Sequence, residues 1–123
     1  MSSARTLALA GLVLALATAC GAFGAHALRA SLPAERLALW ETAVRYQFFQ
    51  GLGLLGIGLT LRGTDLPALR AAALLVLAGT VLFCGSLYLL AFPVPRVFGA
   101  VAPLGGLALI AGWLTFAWSL FRP

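Results

Sequence analysis

Charge is what this sequence has least of. Three acidic residues, one histidine and two cysteines are scattered over 123 positions, and all eight basic residues are arginine. Only 9% of residues are charged, against roughly 25% in an ordinary soluble domain, so a soluble globule is excluded. Cys20 and Cys84 are too few for a disulfide framework and read as small buried hydrophobes. A metal centre draws on clustered histidine, cysteine or carboxylate ligands, more than this chain offers, and a haem held by two histidines would need two copies of His26 facing each other across a dimer. With no lysine there is no phosphate-binding glycine loop, and no nucleophile, base and orienter stand at recognisable spacing. No cofactor, no metal, no nucleic-acid partner and no enzymatic activity are expected. Arginine without lysine fits anion clamping, but a genome rich in G and C explains the same choice beside so much Ala, Leu and Gly.

What remains is apolar. Hydrophobic residues make up 63% of the chain, and mean hydropathy is +1.07. Four stretches, residues 6–28, 43–61, 71–92 and 97–121, are long enough to cross a hydrocarbon core about 30 Å thick. Without the alternation of a barrel strand, and with every backbone group needing a partner in lipid, these are helices. The expectation is one all-α membrane domain over residues 1–123, a bundle of four transmembrane helices in contact with the bilayer. Arg5, the run Leu7 to Ala17 and "LATAC" resemble a leader or a lipoprotein box ending at Cys20. The run stays apolar through Leu28, longer than a leader needs, so it is read as a retained helix.

Between the first two helices, "SLPAERLALWETAVRYQFFQ" reads as a short interfacial helix opened by Ser31 and Pro33, with Leu37, Trp40, Val44 and Phe48 on one stripe. Trp40 and Tyr46 then sit at headgroup level. "RGTDLPALR" and "PVPR" are tight turns. The echo of "LVLA" at residues 12–15 and 75–78 hints at a duplicated helix pair, though Ala and Leu make such echoes common. Gly11, Ala15 and Ala19 recur every four residues, as do Ala17, Gly21 and Ala25, while Gly51, Gly53, Gly56 and Gly58 crowd the second helix. Gly24, Gly105 and Gly106 add to these small positions, at which helices approach closely in lipid. Four thin helices packed on glycine leave little room for a pore within one subunit.

The few polar side chains gather at one end: His26, Glu41, Arg45, Gln47, Gln50, Ser86 and Tyr88. Pro103, near that end of the fourth helix, leaves the carbonyl of Gly99 without its usual donor. Ionisable groups in a bilayer are costly, so this polar layer is expected to face inward, with Glu41 and Arg45 one helical turn apart and His26 cross-linking it by a hydrogen bond to a neighbouring helix. The positive-inside count is tied, with Arg5, Arg62, Arg70 and Arg122 at one end against Arg29, Arg36, Arg45 and Arg96 at the other. Cytoplasmic termini are favoured because Arg5 flanks the first helix and Arg45 falls inside the second.

"GAFGAHAL", "RYQFFQGLGLLG", "GTVLFCGSLYLLA" and "VAPLGGLALIAGW", in this order and covering nearly the whole chain, resemble the DUF423 family of small four-helix membrane proteins of bacterial inner membranes, which has mitochondrial relatives in animals. The resemblance implies a multi-pass inner-membrane protein with cytoplasmic termini and no assigned activity. Two positions depart from it: Gln50 stands where relatives typically carry histidine, and Cys84 where they often have serine. Glutamine does not titrate near neutrality, which weakens a paired-histidine relay. Two functions follow: a non-enzymatic helper packing against itself or a larger membrane complex, and an oligomeric transporter or proton-linked channel around His26.

Overall fold

A computed structural model describes residues 1–121; Arg122 of the orientation count and the terminal Pro123 lie outside the described residues. Four long helices carry the fold: α1 (Ser3–Ser31), α2 (Ala34–Gly63), α3 (Pro67–Leu90) and α4 (Val101–Phe121), with a 3₁₀ turn, Arg96–Ala100, leading into the last. Their ends follow local chemistry. Ser2 caps α1, its hydroxyl accepting the Arg5 amide at 3.2 Å. Leu32 is extended (φ −98°, ψ 143°) because it precedes Pro33, and α1 stops there. Pro67 opens α3, a position where its missing N–H is not needed. After Leu90, Pro93 and Pro95 prevent α3 from continuing.

Two expectations are corrected. Residues 34–63 form one unbroken helix of 30 residues, so no separate interfacial helix precedes the second crossing stretch. Ser31 belongs to the end of α1, where its hydroxyl bonds the Ala27 carbonyl at 3.3 Å, and does not cap α2. Glu35, Arg36, Glu41 and Arg45 are not buried, and the helix continues through all four positions. Three helical segments, Ser3–Ser31, Pro67–Leu90 and Arg96–Phe121, are long and apolar enough to cross a membrane. α2 is the most polar of the long helices, holding Arg45, Gln47 and Gln50 within two turns.

Chain neighbours pack antiparallel. Down the α1–α2 seam, Leu7 lies over Gly58, Leu14 over Gly51, Val44 against Gly21 and Trp40 against Gly24, each contact stepping up one helix as it steps down the other. The Ser3 hydroxyl closes the seam by donating to the Gly58 carbonyl at 2.9 Å. The α3–α4 seam is tighter still. Gly79 faces Leu109 and the Gly105 carbonyl, Gly105 lies on the backbone of Phe83, and Gly112 meets Val76. Between the seams a core of Ala10, Leu54, Ile57, Leu69, Val76 and Leu109 joins all four helices. Large apolar side chains such as Leu12, Leu52, Val81 and Leu107 stand outside, in the opposite sense to a soluble domain.

The α2–α3 turn holds the one ion pair among the described residues, Asp65 with Arg70. Hydrogen bonds from the Arg70 guanidinium hold the Asp65 carboxyl below its ordinary range. A depressed carboxylate contributes stability above its unfolded pKa and loses it as pH falls through the folded one. Both side chains are exposed, where salt and water screen such pairs. Asp65→Asn is therefore expected to leave thermal stability in detergent nearly unchanged at pH 7 and to flatten only the slight loss seen below the carboxylate range.

Candidate functional site

The polar residues at the α1–α2 turn end share one half of the bundle, but the structure divides them among different faces. Gln47, 7% exposed, is the hub of an internal bridge. Its Nε2 donates to the Val13 carbonyl of α1 at 2.9 Å, and its Oε1 accepts the Tyr88 hydroxyl of α3 at 2.5 Å, so one amide ties three helices together. Ser86 is buried on a different face of α3, bordering a hollow with Phe98 and Val101, and bonds the Phe83 carbonyl of its own helix at 2.9 Å. A second amide, Gln50, accepts from Trp113 Nε1 of α4 at 2.8 Å.

His26, Glu41 and Arg45 are exposed, and their side chains form no hydrogen bond or ion pair among the described residues. His26 is thus not the cross-link expected of it, and Glu41 does not pair with Arg45. The physical reason lies in α1. From Gly24 to Leu28 the helix widens to a π turn, and the missing side chain of Gly24 admits the Trp40 ring. A Cβ there would meet the indole at 2.7 Å. Trp40 fills the place an inward imidazole would need, giving its Nε1–H to the Cys20 carbonyl at 2.8 Å and packing on Tyr88 with ring centroids 4.5 Å apart. His26 turns outward. Glu41 and Arg45 border a hollow of about 210 Å³ over Gly21, Gly24 and Trp40.

Trp40 is 8% exposed and central to a cluster with Leu28 and Ala91, so its ring is enclosed by the protein. Tyr46 does stay exposed, its ring against Phe49 and Phe83. Pro103 lies in the first turn of α4, where an amide has no helical partner to lose, so it makes no break. Of the small positions, Gly21, Gly24, Gly51, Gly53 and Gly105 sit in helix contacts, with Gly53 covered by the Trp113 ring. Gly106 is looser, with only Phe83 at 3.9 Å from an added Cβ. Gly11 and Gly56 have nothing within 4 Å and face outward. Gly58, also expected among the small positions, lies under Leu7, while sequence reasoning missed Gly79 and Gly112 as contact positions and Trp113 as the partner of Gln50. Indole N–H groups seek acceptors when buried, and Gln50 was an acceptor on offer. Cys20 and Cys84 are free thiols. No group of three or more metal-ligating side chains occurs among the described residues.

An all-helical chain with apolar spans, helices zipped on glycine and amide bridges in its interior is a small integral membrane protein. The chain belongs to the DUF423 family, described as protein of unknown function, which matches residues 20–106. Relatives include a UPF0382 membrane protein of Staphylococcus haemolyticus, 46% identical over 102 residues covering 83% of each chain. One of Staphylococcus saprophyticus is 43% identical over 107 residues, covering 87% of this chain and 88% of its own. The UPF0382 membrane protein YwdK of Bacillus subtilis is 40% identical over 100 residues, covering 80% and 81%. No solved structure matches.

Proposed function

We propose that this protein is a non-enzymatic interaction subunit of the bacterial inner membrane, crossing it four times with both termini in the cytoplasm, and that it docks through the outer face of α1 onto a helix of another membrane subunit or a second copy of itself. The observation that carries this reading is that face. Ala4, Ala8, Gly11, Ala15 and Ala22 are all exposed, and at spacings of three, four and seven residues they form one stripe. The stripe runs toward His26, an exposed imidazole without a partner among the described residues. Small side chains let a second backbone come close in lipid, and a polar side chain near the end of such a stripe seeks a bond across it. The Gln47 amide at the centre of the polar layer is occupied at both ends, by the Val13 carbonyl and the Tyr88 hydroxyl, which supports docking over conduction through that layer.

Purification at native level in mild detergent tests the reading. The wild type is expected to run in a stable complex, heteromeric or dimeric, and Gly11→Ile, which meets nothing inside the fold, to run alone with unchanged helicity. Reporter fusions at the C-terminus are expected to be cytoplasmic. A monomer indifferent to Gly11→Ile, or pH-driven ion flux by the isolated protein in liposomes, would overturn the proposal.

A further inference from the structure

On the face away from α1, a groove of about 460 Å³ opens between α2 and α4, with Phe83 of α3 as its floor. Its walls are Tyr46 and Gln50 on one side and Leu109, Ile110 and Trp113 on the other. The groove exists because α2 and α4 both pack on α3 and meet each other chiefly through Trp113, which reaches across to Gly53 and Gln50. Gly106 keeps it open, since no side chain projects there toward Phe83. The volume falls within the range of small-molecule sites.

The lining is apolar and aromatic except for the Tyr46 hydroxyl and the Gln50 amide, and only the amide has its geometry fixed by a hydrogen bond. Trp113 Nε1 can only donate, so the oxygen of Gln50 is fixed toward it and the amide nitrogen is turned away. That nitrogen has no partner among the described residues, and no buried side-chain nitrogen or oxygen among them is left unpaired, so the Gln50 nitrogen opens to the surroundings. In the four-crossing arrangement proposed above, on which this step rests, its two N–H donors lie about 13 Å further along α2 than Glu41, toward the bilayer interior, at about 1.5 Å per residue. Water is scarce at that depth, and unpaired donors there are costly. A glycerol ester carbonyl belongs at the headgroup level, well above. We propose that the groove binds a small uncharged lipophile bearing a carbonyl oxygen, its apolar body against Tyr46, Phe83 and Trp113 and its oxygen on the Gln50 amide. This site is separate from the α1 docking face and stands or falls without it.

A lipophilic benzophenone is a suitable probe, being an uncharged aryl ketone that inserts into nearby C–H bonds when illuminated. In nanodiscs of the purified protein, photolabelling is expected to saturate and to map to residues 46–50 and 109–114. Gly106→Val and Ile110→Phe each fill the groove from a different place, and labelling is expected to fall at least fivefold in both, with thermal melting reporting that each is folded. At equal bilayer concentration, unlabelled benzophenone should compete better than diphenylmethane, the same shape without the carbonyl, by about threefold or more, the worth of one interhelical-strength hydrogen bond in lipid. Labelling should be equal in ester-linked and ether-linked phospholipid. Labelling spread evenly over lipid-facing residues, or unchanged in a folded filling variant, overturns the site. Equal competition by diphenylmethane overturns the role of Gln50, and labelling confined to ether-linked lipid assigns the groove to the lipid's own ester and overturns the free lipophile.

Discussion

Gly105→Ala is expected to destabilise the bundle by about 1–3 kcal/mol, while Gly85→Ala on the same pair of helices leaves it unchanged or slightly more stable. A Cβ at Gly105 would strike the main chain of Phe83, including its Cα at 2.8 Å. Backbone cannot swing aside as a side chain can, so α3 and α4 would have to separate. That separation also pulls Leu109 from Gly79 and Val76 from Gly112, because the three contacts form one seam. Apolar burial gives little drive for helix association in lipid, which leaves close packing to do it, so the loss is not recovered elsewhere. Gly85 has nothing within 4 Å of an added Cβ, and Ala is the better helix former. Unfolding in mixed micelles with increasing SDS, followed by circular dichroism, separates the two variants. Equal stabilities would show that the seam is not closed on Gly105.

Gln47→Leu is expected to cost roughly 2–3 kcal/mol, about twice the effect of Tyr88→Phe. The Gln47 amide makes two interhelical hydrogen bonds, to the Val13 carbonyl and from the Tyr88 hydroxyl, each worth about 0.6 kcal/mol on average and up to about 1.7 in membrane proteins. Its removal also leaves the Tyr88 hydroxyl without an acceptor, a penalty of about 1–3 kcal/mol where the group is buried. Tyr88→Phe loses one bond and keeps the ring on Trp40. The double variant should be less destabilised than the sum, since removing both partners leaves neither unpaired. Strict additivity in the same SDS titration would mean that the two side chains do not share a bond.

The helical class, the apolar spans and the neighbourhood of the polar groups were legible because composition and run length report directly on the solvent a helix tolerates. Which face of a helix meets which neighbour was not. Gly11, Ala15 and Ala19 repeat with the same period as Ala10, Ala17, Gly21 and Gly24, and periodicity alone cannot say that the second set meets α2 while the first looks out. Trp40 shows the same limit from the aromatic side. Composition places an indole near the membrane interface but does not say what it packs against; here Gly24 and the Cys20 carbonyl, 16 and 20 residues away in sequence, supply the space and the acceptor that enclose it. That buried ring in turn decides the fate of His26. Gln47 and Tyr88 were placed at the right end, but their bond spans 41 residues, and only the antiparallel register of α2 and α3 brings them together. Glu41 and Arg45 depart from the inward polar layer for a simpler reason: both fall on an exposed face of α2, and sequence position alone does not say which face that is.

The most direct test of the α1 docking face is cysteine cross-linking in native membranes, in a background where Cys20 and Cys84 are replaced by alanine. Single cysteines at Gly11 and Ala15 are expected to give a discrete cross-linked species under mild oxidation or with a short bifunctional reagent, of either twice the chain's mass or a defined heteromer. Cysteines at Leu107 and Ile110, exposed on α4, are expected to give none. Cross-linking that is equal on both faces, or absent from α1 at native expression, would contradict the account.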